Sequence, residues 1–224
     1  IGGCCLGVAM ITFIYSITNT TAAVTLLCLA AMPFFTAILA YLFLKEKISI
    51  NVWVSIFLAT VGIIIMAFGN TEKNSLLGFV FGLTSSVGFS VFSVSLRWRK
   101  ETPKFTTVAI AGLFCFVFAT IVILITNQSF FSNSYNSSMF SLHGTLVCLG
   151  LILYSIGSKA IPAAELTLLS LTEVIGGIFW VWLPLFGINE IPSTNTIVGG
   201  FFLFVSLVYY SLIMRWNKRF IALN

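Results

Sequence analysis

The chain has 224 residues, of which 59% are hydrophobic and only 8% charged, and its mean hydropathy is +1.09. These values exclude an ordinary soluble domain, in which about a quarter of the residues are charged, and they indicate a membrane protein. The formal net charge of +5 follows from membrane topology, as shown below, so no nucleic-acid partner is predicted.

Apolar runs of about 20 residues, the length that one helix needs to cross a bilayer, recur along the chain. They cover residues 1–17, 22–44, 50–69, 76–96, 106–126, 139–158, 163–186 and 195–214. Apolar and polar residues do not alternate within these runs, which argues against a membrane β-barrel. The sequence therefore predicts an all-α polytopic helical bundle with eight spans.

The basic residues fall almost entirely on alternate breaks between the runs. Only Lys73 lies in the opposite set of breaks; all other Lys and Arg residues, including those of the tail at 215–224, lie in one set. By the positive-inside rule that set is cytoplasmic, and the C-terminus lies on the same side. Because Ile1 already stands inside an apolar run, we expect the chain to be truncated at its N-terminus.

Two segments, beginning at Tyr15 and Tyr154, share one layout. Each has Tyr-Ser-Ile, a short polar break, an Ala-Ala pair, a long apolar helix and a break that contains a glutamate, Glu46 or Glu190. The charge distribution orients the two long helices in opposite directions, so the repeats are inverted. Inverted repeats are typical of secondary transporters, which bind substrate near the midplane at the repeat interface.

These segments resemble the EamA-type transporters of the drug/metabolite transporter superfamily. The resemblance rests on Thr21-Ala22-Ala23, Pro33 and LAYLFLKEKIS in the first copy, and on Ala164, LTEVIGGIFWVWL, NEIPS and Gly199-Gly200 in the second. It implies two inverted five-helix repeats, of which eight helices are present: three in residues 1–69 and five in residues 75–214, followed by the basic tail. It further implies a transporter of a small metabolite that works by alternating access in a bacterial-type inner membrane.

The main candidate for the transport site is Glu173. It lies about ten residues into its span, which at 1.5 Å per residue is roughly 15 Å deep. A charged side chain at the centre of a membrane helix costs about 2.5 to 3.5 kcal/mol, so such residues face the bundle interior or an aqueous cavity. Two interpretations stay open: a functional carboxylate that exchanges protons or pairs with a cationic substrate, and a structural one that is protonated or hydrogen-bonded to a neighbouring helix.

Helical spacing places other candidates near Glu173. Leu166, Ser170 and Gly177 fall on its face, with Thr172 beside them. Ser170 and Gly177 could equally serve close helix packing, since small residues let membrane helices approach. Trp180 lies nearer the outer end, where it could close a pocket, although interfacial anchoring is the preferred interpretation.

In the first copy, the related helix carries Thr25 and Pro33. A proline within a helix removes a backbone hydrogen bond, and the resulting kink serves either transport or packing alone. Tyr15 and Tyr154 occupy equivalent places near helix ends. They could contact substrate, but a position at the membrane interface is the preferred interpretation.

Other function classes have little support in the sequence. The serine-hydrolase, zinc-protease and nucleotide-binding motifs Gly-x-Ser-x-Gly, His-Glu-x-x-His and Gly-x-x-x-x-Gly-Lys-Ser/Thr do not occur. The five cysteines show no metal-ligand spacing. We therefore expect no enzyme activity, metal or cofactor, and partners limited to a small-molecule substrate and the lipid bilayer. A channel or lipid scramblase built on the same helices is the main alternative.

Overall fold

The computed structural model of the chain describes residues 1–67, 76–98, 103–127, 129–130, 133–183 and 194–222. In these ranges the regular structure is entirely helical. The helices are α1 (Gly2–Asn19), α2 (Ala22–Leu29), α3 (Met32–Leu39) with a π-helical turn at Ala40–Leu44, α4 (Ile50–Ala67), α5 (Leu76–Trp98), α6 (Lys104–Thr126), α7 (Ser134–Gly157), α8 (Ala163–Leu169), α9 (Leu171–Trp182) and α10 (Thr194–Ala222). The predicted all-α class is confirmed.

The predicted spans correspond to these helices. Five helical segments are long and apolar enough to cross a membrane: Gly2–Asn19, Val24–Leu44, Leu76–Trp98, Phe105–Thr126 and Ser134–Gly157. Ile50–Ile65 and Ile197–Ile213 are shorter apolar helices at the places of two further predicted spans. The chain is thus a polytopic helical membrane protein, and α7 begins five residues before the predicted start at 139.

Local chemistry explains several helix boundaries. The Thr21 side chain accepts a hydrogen bond from the Val24 N–H at 3.3 Å and so caps the start of α2. Pro103 and Pro162 stand immediately before α6 and α8. A proline has no backbone N–H, but at this position the N–H would form no hydrogen bond within the helix, so none is lost. Asn127 adopts the left-handed conformation at the end of α6, with φ of 52°.

Two spans predicted as continuous helices are interrupted. In the span over 22–44, Ala30 and Ala31 form a turn between α2 and α3. In the span over 163–186, Ser170 separates α8 from α9, and its last residues lie outside the described ranges. The first interruption lies within one turn of Pro33, for which a kink was expected, whereas the interruption at Ser170 was not expected.

Pro33 stands two residues after the first break and not inside an unbroken helix. It lies in the first turn of α3, where proline is tolerated because the backbone N–H would have no intrahelical acceptor. The chain therefore ends one helix and begins another. The break at Ser170 forms without a proline, and there the Ser170 hydroxyl donates to the Thr167 carbonyl at 2.7 Å.

Small residues set the closest helix contacts. A Cβ built on Gly62 of α4 would lie 2.6 Å from the Gly199 carbonyl oxygen of α10. A Cβ on Gly88 of α5 would lie 2.8 Å from the Cys5 carbonyl oxygen of α1. Such contacts are typical of membrane helices, which gain packing energy when their backbones approach. α1 therefore packs on α5, and α4 on α10.

Candidate functional site

The two broken helices cross each other. α2 packs on α9 and α3 packs on α8, so the pairs run antiparallel and their breaks lie near the crossing. Buried leucines from both pairs, Leu27, Leu168 and Leu171 among them, belong to the largest apolar cluster. This packing fixes the residues next to each break.

Glu173 lies in the first turn of α9, three residues after the break at Ser170. Its neighbours Leu171 and Val174 are buried in the apolar cluster, whereas the Glu173 side chain is exposed. The carboxylate accepts no hydrogen bond and forms no ion pair within the described part of the chain. The expected structural alternative, a hydrogen bond from a neighbouring helix, is therefore not formed among these residues.

Ser170 and Glu173 have the spacing of a capping box, in which the serine caps the helix and the glutamate bonds back to it. That arrangement is absent here, because the Ser170 hydroxyl donates to Thr167 and Ser170 has helical backbone angles. Only the backbone contact remains, with the Glu173 N–H donating to the Ser170 carbonyl at 2.9 Å. The carboxylate is thus free of any capping role.

Tyr154, near the end of α7, contacts two residues of α5. Its Oη lies 2.7 Å from the Ser93 Oγ of α5, and its ring packs edge-on against Phe89 at a centroid distance of 5.2 Å. Glu173 lies within electrostatic range of the Tyr154 hydroxyl. The structure therefore places Tyr154 against α5 rather than at a free helix end.

The first-copy candidates occupy a different environment. Thr25 is buried, and its Oγ1 lies 3.0 Å from the Ser16 Oγ of α1. The Tyr15 ring packs on Phe81 with a centroid distance of 5.4 Å. Pro33 is buried beside the break. No hydrogen bond or ring contact joins Tyr15, Thr25 or Pro33 to Glu173 in the described ranges, so the structure does not bring the two sets together.

The remaining candidates on the Glu173 helix differ in their exposure and in their contacts. Thr172 is exposed and donates to the Leu169 carbonyl at 2.9 Å. A Cβ on Gly177 would lie 2.8 Å from the Leu26 Cδ1, which supports its packing interpretation. Trp180 is 54% exposed. Since Ser170 belongs to the turn, the single straight face predicted from Leu166 to Gly177 was wrong in its first half.

A cavity of about 780 Å³ lies elsewhere in the molecule. It is bounded by the start of α1, the π-helical turn and the C-terminal part of α5, with mostly apolar lining residues such as Leu39, Phe43 and Val94. Glu173 and Tyr154 do not line it. The candidate site is therefore the Glu173 carboxylate beside the break at Ser170, which can bind a proton, a cation or a hydrogen-bonding group.

Comparison with known proteins shows a similarity to membrane transporters. Residues 1–68 match the EamA-like transporter family. Over these residues the chain is similar to that family. A protein of Bacillus subtilis, named uncharacterized transporter YdfC, is 28% identical over 218 residues, which cover 91% of this chain and 67% of that protein. An uncharacterized transporter of Helicobacter pylori is 27% identical over 95 residues, which cover 42% of this chain and 32% of the relative.

A solved crystal structure supports the fold of the chain. It superposes with a TM-score of 0.68 at 17% identity and covers 95% of this chain and 76% of the other. At 17% identity the match supports a shared fold and does not extend to function. The predicted resemblance to EamA-type transporters is confirmed, and the chain spans about a third of one curated relative and two thirds of the other.

Sequence reasoning missed Ser93 and Phe89, the α5 residues that contact Tyr154. Ser93 is one of several small hydroxyl residues along α5, with Ser86 and Ser90, all buried. Such a series on an apolar helix was a signal that this face meets other helices. The partner, 61 residues away along the chain, could not be identified from spacing.

Proposed function

We propose that the chain forms the core of a secondary active transporter that moves a small metabolite by alternating access between two inverted repeats. One observation carries this proposal: two broken helices cross in antiparallel fashion, and Glu173 follows one of the breaks directly. Transporters built from inverted repeats bind substrate and coupling ions where interrupted helices meet near the membrane midplane.

We assign residues 1–69 to the first repeat and residues 75–214 to the second. The antiparallel packing of α2 and α3 against α9 and α8 supports this assignment. So do the break positions, since Ala30 follows Ala22 by eight residues and Ser170 follows Ala163 by seven. The distribution of Lys and Arg supports a cytoplasmic tail at 215–224 in a bacterial-type inner membrane.

Glu173 is assigned the role of binding or coupling group. An unpaired carboxylate within a membrane helix costs about 2.5 to 3.5 kcal/mol. A bound proton or a cationic substrate group would remove that penalty. On this basis Glu173 binds and releases a proton or a cationic substrate group during transport. No catalytic role is assigned to any residue.

The test is uptake of a panel of labelled metabolites into oriented vesicles, with and without a proton gradient. The wild-type protein, Glu173→Gln and Glu165→Gln are compared. Losing a hydrogen bond to a charged group costs about 1.5 to 3 kcal/mol, which corresponds to roughly a ten- to hundredfold loss of gradient-dependent uptake in Glu173→Gln. Glu165 also lies on this helix pair, but it accepts a hydrogen bond from Tyr210 at 2.5 Å. Its variant should keep most of the uptake.

Three results would contradict the proposal in different ways. Undiminished uptake by Glu173→Gln at every pH would make the glutamate structural. Flux that rises without saturation as substrate increases would indicate a channel or scramblase instead of a carrier. Recovery of a chemically altered substrate inside the vesicles would indicate an enzyme.

A further inference from the structure

Arg97, in the last turn of α5, joins three segments at one end of the bundle. Its Nε lies 2.8 Å from the Glu46 Oε1, just beyond the π-helical turn. Its Nη1 donates to the carbonyls of Ser158 at 3.3 Å and Lys159 at 2.9 Å, between α7 and α8. The Arg97 and Glu46 side chains are only 14% and 23% exposed, so water screens this ion pair weakly.

An apolar layer made from neighbouring residues lies beside the ion pair. Ala40, Val94 and Ala163 form a buried cluster, with Leu39 and Leu44 packed against it. Val94 is one helical turn before Arg97, and Ala163 follows Lys159 by four residues. The two alanines are essentially inaccessible, and their small side chains let the segments approach closely. Ionic and apolar layers thus lie at the same end of the bundle.

We propose that these two layers are the closed gate at this end of the transport path, and that the Glu46–Arg97 pair is its latch. The inference rests on the proposed function. Glu46 belongs to the first assigned repeat and Arg97 to the second, so movement of one repeat against the other must break the pair. Lys45, Lys47 and Lys159 stand at the same end, which the positive-inside rule assigns to the cytoplasm.

Another hydrogen bond provides a matched control. The Tyr210 hydroxyl donates to the Glu165 Oε2 at 2.5 Å and joins α10 to α8. Both helices belong to the second assigned repeat, so this contact does not cross between repeats. Glu165→Gln removes a half-buried carboxylate, as Glu46→Gln does, but should leave the gate closed.

The experiment measures access to a thiol behind the gate. Thr36 is fully buried in α3, four residues before Ala40, and its hydroxyl has no hydrogen-bond partner among the described residues. Thr36→Cys, with the native cysteines replaced by alanine, is exposed from the cytoplasmic side to a membrane-impermeant thiol reagent. The labelling rate is measured in this background and after adding Glu46→Gln, Arg97→Gln or Glu165→Gln.

Labelling should be slow in the background protein and in Glu165→Gln. Glu46→Gln should increase the rate about fivefold, the shift that an interaction of about 1 kcal/mol gives. Arg97→Gln should increase it further, because the bonds to the Ser158 and Lys159 carbonyls are lost as well.

Three outcomes would overturn the latch. One is faster labelling in Arg97→Gln but not in Glu46→Gln, which would mean that Arg97 only caps the end of α7. Equal acceleration by Glu165→Gln would indicate general loosening of the bundle. The third is absence of labelling in every variant. Labelling requires no substrate, so absent uptake together with the expected labelling pattern would overturn the transport function and leave the latch standing.

Discussion

The close approach of α4 and α10 predicts a measurable effect of one added methyl group. In Gly62→Ala the new Cβ would lie 2.6 Å from the Gly199 carbonyl oxygen and 3.0 Å from the Phe202 Cβ. Carbon and carbonyl oxygen rarely approach closer than about 3.3 Å, so the helices must separate by about 0.7 Å. Gly199 presents backbone rather than a flexible side chain, so it cannot rotate away.

The size of the effect follows from two opposing terms. Overpacking of this kind costs about 1 to 3 kcal/mol. Alanine favours the helix over glycine by up to about 1 kcal/mol. The net loss is about 1 to 2 kcal/mol, since the separation also stretches the hydrogen bond from the Ser206 hydroxyl to the Ser55 carbonyl, now 2.7 Å. In a chain of this size that corresponds to a fall in Tm of roughly 2 to 8 °C.

The assay is thermal unfolding of the purified protein in detergent. Gly200→Ala is the matched control, because in the described part of the chain a Cβ at this position meets no atom within 4 Å. That variant gains the same helix propensity without the clash, and its Tm should equal or exceed that of the wild type. A Tm for Gly62→Ala as high as that of Gly200→Ala would refute the close approach of the two helices.

Further predictions concern the hydrogen bonds and the first break. Ser206→Ala should lower stability by about 0.6 to 1 kcal/mol in the same melting assay, because the Ser55 carbonyl loses its interhelical donor. Tyr210→Phe should cost about 1.5 to 3 kcal/mol, since it removes a hydrogen bond to the Glu165 carboxylate. Pro33→Ala should change stability by less than about 1 kcal/mol and leave the break intact, as measured by melting and by the distance between spin labels on α2 and α3.

Each of these predictions has a control or a contrary result. Thr84→Ala removes a hydroxyl bonded only within its own helix, and an equal effect would deny the interhelical role of Ser206. Tyr135→Phe changes an exposed tyrosine and should leave the Tm unchanged. A lengthened distance in Pro33→Ala, as expected for one continuous helix, would make the proline the cause of the break.

Helix positions could be predicted where hydrophobicity alone decides them. The predicted span over 76–96 corresponds to α5 (Leu76–Trp98), and that over 106–126 to α6 (Lys104–Thr126). A helix that crosses a bilayer must keep an apolar surface over its full length whatever it packs against. Its bounds are therefore encoded locally, and polar residues such as Asn127 mark where it stops.

The second break could not be predicted, and the first could be predicted only as a kink near Pro33, because the residues at both breaks are compatible with a continuous helix. The first break falls at Ala30 and Ala31, and alanine has the highest helix propensity. The second falls at Ser170 within an apolar run. Packing between distant segments decides these turns, as it decides the contact of Arg97 with Glu46, 51 residues away. Spacing along the chain contains no information on such pairs.

The position of Glu173 beside a break predicts a change in unfolding free energy that distinguishes a functional carboxylate from a structural one. In a membrane, a carboxylate without a partner is less favourable than an apolar side chain by up to about 2.5 to 3.5 kcal/mol. A residue retained only for transport should therefore be replaceable with a gain in stability, because functional sites are often held at the expense of folding. Glu173→Leu should raise the unfolding free energy by about 1 to 3 kcal/mol while abolishing uptake.

The control for this prediction is Thr172→Leu, which changes an exposed neighbour whose hydroxyl bonds within its own helix and should shift stability little. Melting and uptake are measured on the same preparations of both variants. Lower stability in Glu173→Leu would mean that the carboxylate holds the bundle together, and loss of uptake would then reflect misfolding. Higher stability with lost uptake is the combination that only a functional carboxylate gives, since a structural one cannot be removed with gain.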